Sequence, residues 1–368
     1  MKILHVINFM SMGGAQSLLV DLIPAQIRQG HQVSLLQLSK PNDDTLQNKI
    51  KEKGVIVTTI DTKISLYNPL LILKIRPFLK DVDVVHVHLF PALYWVAFSK
   101  MLSLSKAKLV YTEHNTSNRR RNNPIFKVVD KFVYKKYDVI IACSNKVKDK
   151  FEESFNGIPC YSIPNGIDVS KYREAGSYSK QAFIDVEENA FISTMVARFK
   201  YPKRQDILIN AIAKLPDNYH AVFVGGVDEN IEVQRCKVMA EDLGVKDRVH
   251  FLGLRSDVPE ILKSSNIVVM SSEYEGLSLS SLEGMSSGRP FVASDSDGLR
   301  EVVSGAGILF KCNDSVELSE TIRRLATDDI YYNETVINCQ KRAMQYDINH
   351  VAERYIEQYR NVILNAYA

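Results

Sequence analysis

The chain has few of the features that would assign it to a class at once. Its five cysteines, Cys143, Cys160, Cys236, Cys312 and Cys339, are odd in number and scattered, with no C-x-x-C pair. That argues against a disulfide framework and a cysteine zinc site, and points to a reducing cytoplasm. Long apolar runs are missing too. The longest candidate, residues 82–98, is broken by Asp83, His86, His88 and Pro91 and is too polar to span a bilayer. The opening MKILHVINFM has a short apolar run, lacks a small-residue cleavage pattern and leads into Gly13-Gly14. It reads as a buried strand rather than a secretory leader. Neither a dinucleotide G-x-G-x-x-G nor a phosphate-binding P-loop is present around those glycines. No internal repeat or low-complexity segment is evident. The formal net charge is only +3 and no recognised nucleic-acid module accompanies it, so nucleic acid is not an expected partner.

What is present is regular. With 45% hydrophobic and 24% charged residues, the composition is that of an ordinary globular protein. A length of 368 residues exceeds one compact core and suggests two domains. Short β-branched runs at 3–8, 33–37, 55–60, 84–88, 109–113, 139–143 and 160–163 read as strands, with a helix at about 15–29 after the first. Pro164-Asn165-Gly166-Ile167-Asp168 then breaks the series with turn formers. A second series follows at 191–197, 220–225, 249–252, 267–270, 291–294 and 307–310. Alternating strands and helices predict two doubly wound parallel sheets, an N-terminal domain over 1–168 and a C-terminal domain over 169–350. Ligands in such sheets bind beyond the carboxyl ends of the strands, so two facing domains would make a cleft. Val351, Tyr355, Tyr359 and Val362 stand at helical spacing and predict a terminal helix.

Charge is divided unevenly. Residues 1–170 hold 23 Lys and Arg against 14 Asp and Glu, a surplus of nine, and the remainder is net acidic by six. Arg119-Arg120-Arg121, Lys127, Lys131 and Lys135-Lys136 are interleaved with Ile125, Phe126, Phe132 and Tyr134. This mixture suits either an anionic membrane surface or lipid pyrophosphate, or simply a solvated basic helix face.

The most informative stretch runs from residue 271 to 294, SSEYEGLSLSSLEGMSSGRPFVAS. The strand NIVVM precedes it, and Leu279, Leu282 and Met285 have helical spacing until Gly288 and Pro290 stop the helix. Glu275-Gly276 therefore falls on a strand-to-helix turn, where free amides and the positive helix end favour an anion. Glu283 lies about one turn inside, placed to accept hydrogen bonds from a sugar diol. Two glutamates separated by seven residues, then a small-residue helix and a G-x-P turn, closely resemble the signature of family 4 retaining glycosyltransferases of the GT-B fold.

That resemblance implies an enzyme with two Rossmann-like domains. It would move a sugar from a UDP- or GDP-sugar to a glycan or lipid-linked acceptor in cell-surface polysaccharide biosynthesis, without metal or other cofactor. The terminal helix, about 351–368, would cross back onto the N-terminal domain, and the protein would be cytoplasmic or peripheral on the inner face of the plasma membrane. Glu283 would hold the ribose. Backbone at Ser278, Leu279 and Ser280, with Arg198 and Lys203, would hold the diphosphate and act on the leaving group. Glu275 and His114 would position the transferred sugar, and Gly13-Gly14 would lie beside the donor phosphates and acceptor. The base would meet backbone near residues 253–258. Ala197 and Arg204 depart from the family pattern, which has glycine at both places, so Lys200 and Arg204 stand as rival phosphate ligands.

Two patterns invite over-reading. Asp295-Ser296-Asp297 imitates a D-x-D metal site but follows a strand and leads into Gly298, as the family's turn does. His86 and His88 share a strand face, but no nearby carboxylate or cysteine completes a metal site, so core or cleft packing is expected. A sugar-nucleotide epimerase of like architecture, and a binding protein without turnover, remain open alternatives.

Overall fold

The computed structural model describes the chain apart from residues 12, 61–64, 115–122, 227–229, 276 and 365–368. It divides into two compact units, Met1–Gly166 with Ile348–Ala368, and Ile167–Asp347.

Unit 1 contains β1 (Lys2–Ile7), β2 (Gln32–Gln37), β3 (Ile56–Thr59), β4 (Val84–His88), β5 (Lys108–Glu113), β6 (Val139–Ala142) and β7 (Cys160–Ser162). All pair in parallel, in the order β3-β2-β1-β4-β5-β6-β7. Parallel strands covered on both faces need continuous apolar runs, and β4, VVHVH, is buried at every position even though it carries two histidines. The register sets His5 of β1 opposite His86 of β4, and His88 opposite Thr112 of β5.

The helix Ile348–Leu364 belongs to this unit. Ile348, Val351, Ala352, Tyr355, Ile356 and Tyr359 form its buried stripe at the 3-4 spacing of an amphipathic helix. They join Ile3, Leu18 and Leu22 in one core against the helix Gly14–Arg28. Each large side chain fully buried there contributes roughly 1.5–3 kcal/mol relative to exposure.

Unit 2 contains β8 (Phe191–Val196), β9 (Tyr219–Val224), β10 (Val249–Phe251), β11 (Ile267–Met270), β12 (Phe291–Ser294) and β13 (Ile308–Phe310). Its sheet is also all parallel, in the order β10-β9-β8-β11-β12-β13. Both sheets therefore reverse winding between their first strand and the fourth, at β1/β4 and at β8/β11. Such a switch point leaves a crevice at the carboxyl ends of the two central strands.

None of the five cysteines forms a disulfide, and four of them are buried. Among the described residues no helix is long and apolar enough to cross a membrane.

Candidate active site

In unit 2 the crevice lies where β8 runs into Ala197-Arg198 and β11 into Ser271-Ser272. Serines pin these loops to each other through main-chain carbonyls. The Ser271 hydroxyl donates to Arg204 O at 2.7 Å, and the Ser296 hydroxyl to Ser272 O at 2.9 Å. The amides of Glu273 and Glu275 donate to Pro202 O at 2.9 Å and Asp297 O at 3.1 Å. Glu275 is held in this way between the two neighbouring loops, and its carboxylate takes an ion pair from Lys203. Both side chains of that pair are more than four-fifths buried.

Four cations share this loop, Arg198, Lys200, Lys203 and Arg204. Arg198 and Lys200 are exposed, and neither makes an ion pair among the described residues. Arg198 lies close enough to Lys200 to hold its amine below the usual lysine range, with burial and Lys203 adding to the effect and Glu275 opposing it. Like charges crowded around one carboxylate leave a positive surplus that an anion would relieve.

Arg204, the rival ligand, is already committed. Its guanidinium donates to Asp206 at 2.8 and 2.9 Å and also reaches Glu273 and Asn313. Of these partners the carboxylates raise its pKa, Asp206 first and then Glu273. Its backbone is left-handed, with φ of 54°, which accounts for the glycine expected at this place. Nothing in the structure explains alanine at 197 in place of glycine, but across from it a Cβ on Gly225 would come within 2.7 Å of Ala197 O. Gly225, with φ of 105°, thus lets the β9 loop approach the β8 loop closely, and its amide donates to Gly253 O at 2.8 Å. The sequence reading overlooked Gly225; a strand ending in Gly-Gly beside two others was the available signal.

The helix Leu279–Ser286 begins at Ser278 with no side-chain cap and no acidic residue in its first turn. The amides at Ser278, Leu279 and Ser280 thus form an anion-favouring end. Glu283 is partly buried in its second turn. A Cβ on Gly284 would come within 2.8 Å of Phe291 and Val268, so this glycine presses the helix onto β11 and β12. Asp295 is paired with Arg300 at 2.5 Å. Gly276 lies outside the described residues.

In unit 1, the Asn8 carboxamide joins the ends of β1 and β4, donating to Phe90 O at 2.8 Å and accepting from the Ala92 amide at 3.2 Å. Gly13 caps the 15-residue helix Gly14–Arg28, again without a side-chain cap. Among the described residues a Cβ on Gly14 would meet nothing within 4 Å, whereas one on Gly13 would come within 2.5 Å of the Gln16 Oε1.

His114 follows β5 and is partly buried. Its Nε2 lies 3.2 Å from His88 Nδ1, and His88 Nε2 lies 3.1 Å from His5 Nδ1. His5 Nε2 in turn lies 2.8 Å from the Gln26 Oε1. Burial pushes His5 and His114 down to about 4, and burial with the neighbouring imidazoles pushes His86 and His88 well below the ordinary range. All four rings are therefore neutral near pH 7. The sequence paired His86 with His88 but missed His5 as their third neighbour.

Two family models cover most of the chain. The model described as Glycosyltransferase Family 4 matches residues 12–171, and that described as Glycosyl transferases group 1 matches 179–343. The chain belongs to the family 4 glycosyltransferases. One relative of this glycosyltransferase is the N,N'-diacetylbacillosaminyl-diphospho-undecaprenol alpha-1,3-N-acetylgalactosaminyltransferase of Campylobacter jejuni, 34% identical over 47% of the chain. The match spans about half the length of that relative, 46%. The UDP-Gal:alpha-D-GlcNAc-diphosphoundecaprenol alpha-1,3-galactosyltransferase of Escherichia coli is 25% identical over 99% of the chain and 98% of its own. Among solved structures, Anabaena HepE in complex with UDP and glucose has a TM-score of 0.80 at 24% identity, covering 97% and 99% of the two chains. A glycosyltransferase from Rickettsia africae has a TM-score of 0.83 at 19% identity, covering 98% of each. At these identities the structures bear on the fold alone. The fold of this glycosyltransferase is GT-B, with two Rossmann-like parallel-sheet domains.

Proposed function

We propose that this glycosyltransferase is a retaining hexosyltransferase that transfers a sugar from a nucleoside diphosphate sugar to a glycan carried on a lipid diphosphate. The observation that carries the reading is the crowding of Arg198, Lys203 and Glu275 around Lys200, with Lys203 paired to Glu275, in the unit that also holds the uncapped helix Leu279–Ser286. A diphosphate would neutralise that surplus, and the same groups would stabilise it as it leaves. Glu283 holds the ribose and Glu275 the transferred sugar. Because Lys203 and Glu275 are paired, donor binding would draw Lys203 towards phosphate and release the carboxylate to sugar hydroxyls. On unit 1, His114 contacts the transferred sugar, and Gly13-Gly14 meets donor phosphate and acceptor.

UDP-sugars are the first donors to test, because the relative aligned over nearly its whole length is named for UDP-Gal. GDP-sugars are the alternative. A lipid-diphosphate acceptor follows the names of both relatives. Protein cations take the role a divalent ion has in other transferases, so activity is expected to survive excess chelator. The acceptor's lipid would bring the enzyme to a membrane through the basic helix Pro124–Tyr134.

The test is turnover of a panel of UDP- and GDP-sugars, with and without a lipid-diphosphate glycan. Transfer with retained anomeric configuration supports the proposal. Conversion of the donor alone into another nucleotide sugar would make the protein an epimerase, and binding without turnover would make it a binding protein.

A further inference from the structure

The histidines of unit 1 form a chain longer than their sheet requires. Both nitrogens of His5, His86 and His88 lie within hydrogen-bond reach of protein atoms. The three rings bring ligand atoms within 4.8 Å of one another, but each nitrogen so engaged has no lone pair left for a metal.

One arm runs Gln26–His5–His88–His114. The other runs from the same carboxamide: Gln26 Nε2 donates to the Tyr359 hydroxyl at 3.3 Å, that hydroxyl lies 2.6 Å from His86 Nδ1, and His86 Nε2 lies 2.7 Å from Thr112 Oγ1. A neutral imidazole carries one N–H and one lone pair, so a proton on one nitrogen dictates the partner's role at every link. Two arrangements satisfy every contact. With Gln26 Oε1 facing His5, as here, every ring carries its proton on Nε2: His5 donates to Gln26, His88 to His5 and His114 to His88. On the other arm Tyr359 donates to His86, which donates to Thr112. Turning the carboxamide over would move every proton to Nδ1. On the imidazole arm a mixed arrangement leaves two donors or two lone pairs facing each other, and on the other arm it leaves the Tyr359 hydroxyl short of a partner, at a cost on the order of 1–3 kcal/mol.

We propose that His5 and His88 are positioning residues that transmit the orientation of the Gln26 carboxamide to His114, fixing it as the Nε2–H tautomer with a bare Nδ1. His114 then accepts a hydrogen bond at Nδ1 and cannot donate one there. Its consequence for turnover rests on the reading of His114 as a sugar contact: the ring would select a donor hydroxyl that gives a proton. The tautomer itself does not depend on that reading.

The experiment is long-range proton–nitrogen correlation on full-length protein labelled with nitrogen-15 histidine, near pH 7.5, together with metal content as purified. The expected result is four neutral rings protonated on Nε2. Nitrogen–nitrogen couplings should appear across His88 Nε2 to His5 Nδ1 and His114 Nε2 to His88 Nδ1. Gln26→Met removes the acceptor for His5 and should give His114 a second set of resonances with the proton on Nδ1. Its kcat should fall while affinity for UDP stays unchanged, since no histidine of this chain is assigned to the nucleotide. Protons on Nδ1 in the wild type, absent couplings, a stoichiometric metal on the three histidines, or an unchanged His114 tautomer in Gln26→Met would each overturn the proposal. Should Gln26→Met fail to fold, the wild-type couplings decide alone. A normal tautomer pattern with no turnover of any nucleotide sugar would leave this chain standing and defeat the functional reading instead.

Discussion

The two units share one strand order and one switch point, yet their crevices carry opposite chemistry. At β1/β4 of unit 1 the polar groups are neutral imidazoles, a carboxamide and hydroxyls, buried and linked without an ion pair among the described links. At β8/β11 of unit 2 they are cations and carboxylates at the rim, with Lys203 on Glu275 and Arg198 and Lys200 in solvent. The winding supplies the crevice in both cases and decides nothing about its charge. A neutral network holds directional hydrogen bonds where desolvation forbids charge. A rim of cations keeps its charge because water still reaches it. Geometry is preorganised in one unit and electrostatics in the other.

The comparison breaks most easily at the cations. Removing a preorganised charge from a developing anion typically costs on the order of 3 kcal/mol, about a hundredfold in rate. Arg198→Ala and Lys203→Ala should each lower turnover by that order with little change in melting temperature. Lys203→Ala also strands Glu275, so Lys203→Ala with Glu275→Ala should be less than additive. Near-normal turnover in both single variants would move the role to Lys200. Arg204→Ala, by contrast, should chiefly destabilise, because its partners are Asp206, Glu273 and Asn313.

Acid should find unit 1 first. An unfolded histidine titrates near 6.5, while buried His5 and partly buried His114 are held at about 4. Between those values the unfolded chain takes up protons that the folded chain refuses. Stability is therefore full above pH 6.5 and is lost as pH falls towards 4. For fully buried His5 that loss is about 3 kcal/mol by the lower limit. Unit 2 holds one such pair, His220 and His250, both lowered but less deeply buried. Amide hydrogen exchange at pH 7.5 and pH 5 should show protection falling more in β1, β4 and β5 than in β8, β11 and β12. Equal loss in both sheets would refute the contrast.

Much of this was legible in the sequence, for physical reasons. Strand runs and turn residues are local, so all thirteen strands were readable, with ends displaced by about one residue where the ladder frays. Leu252, for example, still donates to Phe223 O at 2.9 Å beyond β10. The Glu275 turn, the Leu279–Ser286 helix and the Arg198–Lys203 loop were readable because each is a short contiguous motif. The histidine chain was not: His5, Gln26, His88, His114 and Tyr359 meet only through strand order and the terminal helix. Arg204 looked like a departure from the family pattern because its left-handed backbone and its carboxylate partners are properties of the folded loop.

A smaller effect separates the two glutamates of unit 2. The ribose is held alike in ground and transition state, so Glu283→Ala should weaken UDP binding about tenfold, or 1.4 kcal/mol, with a matching rise in KM. Glu275→Ala should depress kcat while leaving UDP affinity near normal, because its proposed partner is the sugar. Calorimetry with UDP beside steady-state kinetics would decide. The same defect in both variants would refute the division of roles.

The smallest effect per residue concerns the surface of unit 1. The helix Pro124–Tyr134 buries Asp130, Val133 and Tyr134 and leaves Phe126, Val128 and Phe132 exposed among Lys127 and Lys131, with Lys135 and Lys136 following. Lys136 lies over the Phe132 ring at 4.6 Å. Arg119, Arg120 and Arg121 lie outside the described residues. Each cation near an anionic bilayer contributes about 1 kcal/mol, so four suffice for reversible attachment that weakens as salt rises. Replacing Lys127, Lys131, Lys135 and Lys136 by serine should abolish sedimentation with phosphatidylserine vesicles at low salt. Replacing Phe126 and Phe132 by serine should weaken it at every salt concentration, because apolar insertion is not screened. Hydrolysis of a soluble donor should stay at the wild-type rate in both, since none of these six residues is assigned to the donor. Should the wild type ignore anionic vesicles, or the lysine variant bind them equally well, the helix face is simply solvated. The acceptor would then have to reach the enzyme from solution.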